Sequence, residues 1–566
     1  MRTREFDFIT ITEAATLIAS RQLSPIELTR AKLDRIEAID QQVNSFITVT
    51  AELALQQAQA AEAEIAAGRY RGPMHGIPFG LKDLYATAGI LTTGHSKVCI
   101  DNIPSKNASV TEKLYAAGGV LLGKLATNEF AHGAPCFDAP WPPARNPWNT
   151  EHFTGGSSSG SGAAVAAGFM PGAMGSDTGG SVRTPAAFCG TVGLKPTYGL
   201  VSRHGVIPNS YTFDHCGPLT WTVEDCAIML GIIAGYDPQD AGSVQCRIPD
   251  YRAALKRDLR GFRVGVLRHF WEEDLKVAKE VAQAMEAALD VLRQLGAKVE
   301  DVRMRPLQEY MDVKVTIAET EIFCVHQQDL ITRLDDFGMP FLAQTLAGCL
   351  FEASDYVQAQ RERRVMLAEM EPLYQKYDVL VTASSGPAPR FDRVSILKSW
   401  IAPNIYTAFS VTGGPSVAIC NGFTGDGLPL SMQISGRPFD DATVLRAAYA
   451  YEQATPWREH RPALISGVPR VPIKPPPYLS GATVDEATRK IVDQHVQRAG
   501  LKLNDIHLTL LCEVAPYALE MAQRIRRDHA RSNEPANVFR FPQAALSMQG
   551  GGASTGDPFL QLPRKL

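Results

Sequence analysis

The chain of 566 residues lacks the marks that export, membrane insertion and metal chemistry leave in a sequence. Its opening, MRTREFDFITITEAATLIAS, holds no continuous apolar run, so no secretory leader is expected. No apolar stretch reaches the roughly 18 residues that cross a bilayer; CAIMLGIIAGY (226–236) comes nearest and is far too short. The expectation is a soluble, cytoplasmic protein with no membrane partner. Its ten cysteines form no CxxC pair and have no histidine at ligand spacing, which predicts neither a disulfide framework nor a metal site. Excess charge is missing too. A formal net charge of −4 gives no electrostatic ground for binding nucleic acid or an anionic surface. There is no internal repeat.

What is present is an ordinary globular composition, 45% hydrophobic and 20% charged, ample for a large core. The length suits roughly two to four domains. Ser24-Pro25-Ile26-Glu27 predicts a capped helix start, followed by an apolar face at Leu28, Ala31, Leu33 and Ile36. VNSFITV (43–49) reads as extended, and residues 51–68 as a helix ended by glycine. From about 75 to 220, short apolar runs such as VLLGK (120–124) alternate with glycine-rich loops. RVGVL (263–267), a helix through Val277 to Leu292, and KVEDV (298–302) form a strand–helix–strand unit. That order predicts an α/β core with parallel pairing. Five prolines within 469–477 mark a spacer. Beyond it, Thr483 to Glu486 predicts a capping box, with helical periodicity to about Arg531. The expected organisation is a catalytic domain over 1–465, a Pro-rich linker over 466–482, a small helical module over 483–540 and an extended tail over 541–566.

FTGGSSSGSGAAVAAG (153–168) admits four readings. A flexible linker needs solvated neighbours, but AAVAAGFM follows at once. A phosphate loop needs a lysine where Ser161 stands. A GxSxG elbow is formally present at 156–160, but the preceding ARNPWNTEHFT does not read as a buried strand. The fourth reading joins this stretch to GSDTGGSVR (175–183) and GIPFGLKDLY (76–85). A serine hydroxyl needs a base to become a nucleophile. Lysine serves if burial lowers its pKa from the usual value of roughly 10.4, and Lys82 sits among apolar residues. Acyl transfer also needs backbone N–H groups converging on an oxyanion, which a Thr-Gly-Gly-Ser run can supply.

These three blocks, with NSFITV, GKLATNEFAHG, RNPWN and GLPLSMQISGRPFDDATVLRAAYAYEQAT, resemble the amidase signature family over about residues 8–465. The resemblance implies an α/β fold with a large mixed β-sheet sandwiched between α-helices. It implies a Ser–cis-Ser–Lys triad, with Ser181 as nucleophile, Ser157, 24 residues earlier, as the bridging serine, and Lys82 as base. Amides of Thr178, Gly179 and Gly180 would form the oxyanion hole. Ser158, Asp177 and Arg183 would brace the centre. No cofactor or metal is implied. Ser159, where many members have glycine, is a small departure. FDHCGP (213–218) sets Asp214, His215 and Cys216 side by side, but sequence neighbours of this kind rarely face each other, so packing beside the site is expected. Cys136 and Asp214 are candidate substrate-binding residues.

Residues 483–531 are too few to bury a core alone and are expected to dock on the catalytic unit or on a partner chain. They resemble small accessory subunits of such enzymes, including the C subunit of tRNA-dependent amidotransferases and the small subunit of carboxybiuret hydrolase. Arg524, Arg526, Arg527 and Arg531 are expected to sit at a helix C-terminus, where the dipole favours them. No aromatic residues interleave them, so nucleic acid is not expected as a partner. The expected function is hydrolysis of a small-molecule amide through an acyl-enzyme, in a homodimer. A carbamate or urea-type hydrolase and the glutaminase subunit of a tRNA-dependent amidotransferase are the alternatives. A binding protein without catalysis would not need all three of Ser181, Ser157 and Lys82.

Overall fold

Short apolar runs separated by glycine-rich loops become the strands of a single sheet. The computed structural model describes residues 6–481 and 484–535. The strands are β1 (Phe46–Val49), β2 (Pro78–Lys82), β3 (Val120–Leu125), β4 (Gly172–Asp177), β5 (Val192–Lys195), β6 (His215–Thr220), β7 (Arg263–Val266), β8 (Lys298–Asp301), β9 (Val379–Ala383), β10 (Ser416–Phe423) and β11 (Pro429–Gly436). Their order is β1-β3-β2-β4-β6-β5-β10-β11-β9-β7-β8. Pairing is mixed. β2 runs parallel to β3 and β4, and β7 parallel to β8 and β9, while β4, β5, β6, β10 and β11 join antiparallel.

The central strands are buried on both faces, which is why VLLGKL reads as an unbroken apolar run. Leu121 joins one apolar cluster with Phe79, Leu81 and Met174, while Val120 and Leu122 point to the other face. There they meet Ile36, Ile39, Ala54, Ala58 and the small residues Ala163 and Ala164 of the helix Ser159–Ala166. Close approach of that small-residue helix brings the serine-rich turn down onto the sheet.

Local punctuation behaves as its chemistry dictates at the first long helix, where Ser24 Oγ accepts from the amides of Ile26 and Glu27, with Pro25 in the first turn. At the other end of the chain the structure departs from the sequence expectation. The helix Glu486–Ala499 is capped by Asp485, which accepts from the Thr488 amide. Thr483 and the expected tail 541–566 lie outside the described residues. The next helix, Asp505–Arg524, ends seven residues short of the expected Arg531. Arg526 and Arg527 therefore lie beyond the helix end, although the Arg527 guanidinium donates back to the Ala522 carbonyl in its last turn. Arg526 pairs with Asp528, Arg527 with Asp355, and Arg524 with Asp312 and Glu520.

Both C-terminal helices are docked. Val492, Leu510, Leu511, Val514, Ala518 and Met521 share an apolar cluster with Ile322, Phe323, Phe341, Leu342 and Leu346. The helix Asp505–Arg524 packs on the long helix Leu307–Thr332, and Glu486–Ala499 packs on Asp505–Arg524 and the turn Leu346–Leu350. Between body and helices, the Pro-rich stretch carries no regular structure and is held by the Arg145 guanidinium donating to the Val471 carbonyl and by Glu513 accepting from the amides of Ser480 and Gly481. No helix among the described residues is long and apolar enough to cross a membrane.

Candidate active site

Lys82 ends β2 and is fully buried, with its Nζ 2.7 Å from Ser157 Oγ, 2.9 Å from Ser176 Oγ and 3.1 Å from Ser158 Oγ. Desolvation lowers its pKa to about 7, with the carboxylates of Asp177 and Asp214 pulling the other way. A neutral amine has two N–H donors and one lone pair. The three hydroxyls surround Nζ with no carboxylate in contact, and a neutral amine there can turn its lone pair to whichever hydroxyl gives up a proton. Ser158 is held in place by other bonds, since its Oγ donates to the Ser176 carbonyl and accepts from the Ser176 amide.

The Gly156–Ser157 peptide bond is cis. The Ser157 carbonyl accepts from the Asn128 amide, and the Ser158 amide donates to the Ser181 carbonyl at 3.1 Å, tying the two serine segments together. A Cβ on Gly156 would stand 2.6 Å from Asn128 Nδ2 and would displace that side chain from its bond to the Gly133 carbonyl.

Ser181 follows the end of β4, where Asp177 organises the turn. Asp177 accepts from the amides of Gly180 (2.8 Å) and Val182 (3.1 Å) and takes two charge-assisted bonds from Arg183, at 2.9 and 3.0 Å. Burial alone would raise the Asp177 pKa, but the Arg183 guanidinium holds it far below the usual carboxylate range. Arg183, itself fully buried, also donates to the Tyr406 carbonyl, Gln433 Oε1 and Ser410 Oγ.

The oxyanion expectation needs one correction. The Gly180 amide is already committed to Asp177. Among the described residues, the amides of Thr178, Gly179 and Ser181 donate no hydrogen bond within the protein. Gly180 is needed for shape instead, with φ of 126° and a would-be Cβ 2.8 Å from the Tyr406 ring.

Ser157, Ser181 and the 178–180 turn line one side of a cavity of about 200 Å³, the scale of a small molecule. Met311, Lys314, Gln344, Trp400, Asn404 and Thr407 line it from distant parts of the chain. Two expected lining residues are absent from it. Cys136 turns away, its Sγ donating to Asp138 Oδ1 at 2.8 Å, and burial pushes the thiol pKa well up. Asp214 lies behind the turn, where Oδ1 accepts from Thr178 Oγ1 at 2.6 Å and Oδ2 accepts from the amides of Asn209 and Ser210. It positions Thr178 and does not face the cavity. His215 and Cys216, adjacent on β6, project to opposite faces as strand neighbours must. The His215 ring stands 3.3 Å from Lys195 Nζ.

Sequence reasoning missed Ser176, the third hydroxyl around Lys82. Its one signal was its place directly before Asp177. It also missed Lys314 and Trp400, which carry no local motif.

The chain is similar to known proteins over most of its length. The family model for Amidase matches residues 27–445. A glutamyl-tRNA(Gln) amidotransferase subunit from Trichlorobacter lovleyi is 38% identical over 483 residues, covering 80% of this chain and 99% of that protein. Among solved structures, native peptide amidase from Stenotrophomonas maltophilia is 30% identical with a TM-score of 0.71, covering 81% of this chain and 99% of its own. A chain from a vestigial protein complex, linked to the origins of an s-triazine catabolic enzyme, is 32% identical with a TM-score of 0.73, covering 79% and 98%. About a fifth of this chain has no counterpart in each.

Proposed function

This chain belongs to the amidase family, whose enzymes act on carbon–nitrogen bonds, and from that premise we propose that it hydrolyses a small-molecule amide through an acyl-enzyme on Ser181. The observation that carries this reading is a buried lysine enclosed by serine hydroxyls, one of which, Ser157, shares a cavity wall with Ser181. Neutral Lys82 takes the Ser157 proton as Ser157 takes that of Ser181. Ser181 Oγ then attacks the amide carbonyl. The developing oxyanion is met by the uncommitted amides of Thr178, Gly179 and Ser181. The proton returns through Ser157 to the leaving amine, and water cleaves the ester by the same relay. Asp177 and Arg183 hold the turn and take no part in proton transfer.

The pH dependence tests the role of Lys82. Only the unprotonated amine can accept a proton, so kcat/KM is expected to fall about tenfold per unit below a midpoint near 7 and to plateau above it. A midpoint near the ordinary lysine value, or an unchanged profile in Lys82→Met, would remove lysine from the relay.

A second reading is supported by the names of the relatives, which are subunits of a glutamyl-tRNA(Gln) amidotransferase matched over nearly their whole length. On that reading the chain releases ammonia from an amide for a partner. The helices Glu486–Ala499 and Asp505–Arg524, joined through the Pro-rich linker, then stand as a built-in accessory module steadying the helix Leu307–Thr332. Assay of the purified chain against a panel of amides, ureas, carbamates and glutamine separates the readings. Turnover without any added partner favours the stand-alone hydrolase. Glutamine turnover only on adding the other amidotransferase components favours the second.

A further inference from the structure

The cavity lining holds a charge that the proposed chemistry does not use. Lys314, on the helix Leu307–Thr332, lines the cavity with its Nζ 3.9 Å from where a Cβ on Gly179 would lie and its Cε 3.3 Å from that point. The cation therefore stands over the turn that bears Ser181. Its nearest carboxylate is Glu319, whose Oε1 is 3.8 Å away, beyond hydrogen-bond range. Glu319 is fully buried and has closer partners, with His132 Nε2 2.8 Å from its Oε2 and the Trp400 indole N–H donating to its Oε1 at 3.2 Å. Lys314 Nζ makes no hydrogen bond among the described residues.

The rest of the lining sharpens the point. It contains no Asp or Glu side chain; Gln344, Asn404, Asn209 and Asn128 are neutral amides, and the one histidine in it, His132, is tied to Glu319. A site with a lysine and no acid attracts an anion. It offers the ammonium of an α-amino acid neutral acceptors but no carboxylate, and burial of that charge without a counter-ion is costly.

We propose that Lys314 is a specificity-determining residue that binds a carboxylate on the substrate's acyl portion, so that the enzyme acts on monoanionic amides in preference to neutral amides or zwitterionic glutamine. This rests on the amide-hydrolase reading above. With succinamate as the simplest such amide, the C–N bond breaks and a C–O bond forms from water, giving succinate and ammonia. The distal carboxylate, three bonds from the reacting carbonyl carbon, meets the ammonium while the oxyanion faces the turn.

The test compares succinamate, butyramide and glutamine with wild type, Lys314→Met and Lys314→Arg. Wild type is expected to favour succinamate over butyramide in kcat/KM. In Lys314→Met that ratio is expected to fall roughly tenfold to a hundredfold, the worth of one charge-assisted contact, mainly through KM. Lys314→Arg is expected to keep most of it. A wild-type ratio near one, a ratio unchanged in Lys314→Met, equal loss of kcat on both amides, or better turnover of glutamine than of succinamate would each overturn the proposal. If wild type hydrolyses none of them, calorimetry with the full-length Ser181→Ala chain separates the two ideas. Succinamate binding that Lys314→Met abolishes sustains the carboxylate subsite and sinks the hydrolase reading, and absence of binding sinks the subsite.

Discussion

Ser181→Ala is expected to lower kcat/KM on the preferred amide by on the order of 10⁴-fold or more while leaving the thermal midpoint where it was. The two halves of that expectation have separate causes. The Ser181 hydroxyl makes no hydrogen bond among the described residues, and the side chain is only half-buried at a cavity wall, so deletion costs the fold little. Its carbonyl, which accepts from the Ser158 amide, is backbone and survives the change. Chemistry, in contrast, loses the atom that would carry the acyl group. The companion measurement is pre-steady-state release of amine. Wild type is expected to release amine ahead of acid, as an acyl-enzyme requires, and Ser181→Ala to show no such phase. Retained turnover in Ser181→Ala would end the mechanism whatever the lysine does.

The second large effect is on stability. Asp177→Ala removes the carboxylate from a guanidinium that has no access to water, leaving Arg183 with only neutral acceptors at Tyr406, Gln433 and Ser410. Breaking a buried pair from one side costs about 3–5 kcal/mol. Chemical denaturation should show the loss, and activity should vanish with it, because the Gly180 and Val182 amides lose the anchor that shapes the turn. Asp177→Ala/Arg183→Met removes the stranded charge and is expected to recover part of the stability but none of the activity. Recovery of both would show that the pair serves only the fold. The pH sense follows from the depressed folded-state pKa of Asp177. Its stabilisation is complete above the unfolded carboxylate range, at neutral pH included, and is lost only as pH falls toward its low folded value.

Legibility in the sequence followed locality. Lys82, Ser157 and Ser181 stand in short runs whose composition serves a close approach of backbones, so a reader of the chain can find them. Ser176 stood in the same run and was still missed, because Gly172–Asp177 reads as glycine-rich loop until the neighbours that make it a strand are known. Cys136 and Asp214 were misplaced for the converse reason. Nearness in sequence to a motif says nothing of which side of a turn a side chain takes, and both face inward bracing contacts. The far wall was invisible. Met311, Lys314, Trp400 and Asn404 reach the cavity through the order of eleven strands and the helices between them, which no short window contains.

That division has a consequence for how such a molecule changes over time. Every group proposed to move a proton or hold the oxyanion lies between residues 82 and 181, whereas the facing wall is drawn from residues 311–407. Inheritance can act on the two stretches separately. Change at Met311, Lys314 or Gln344 would hand the same serine relay a new diet, whereas Tyr406 and Ser410 in the same stretch must stay, because they hold Arg183 behind the turn.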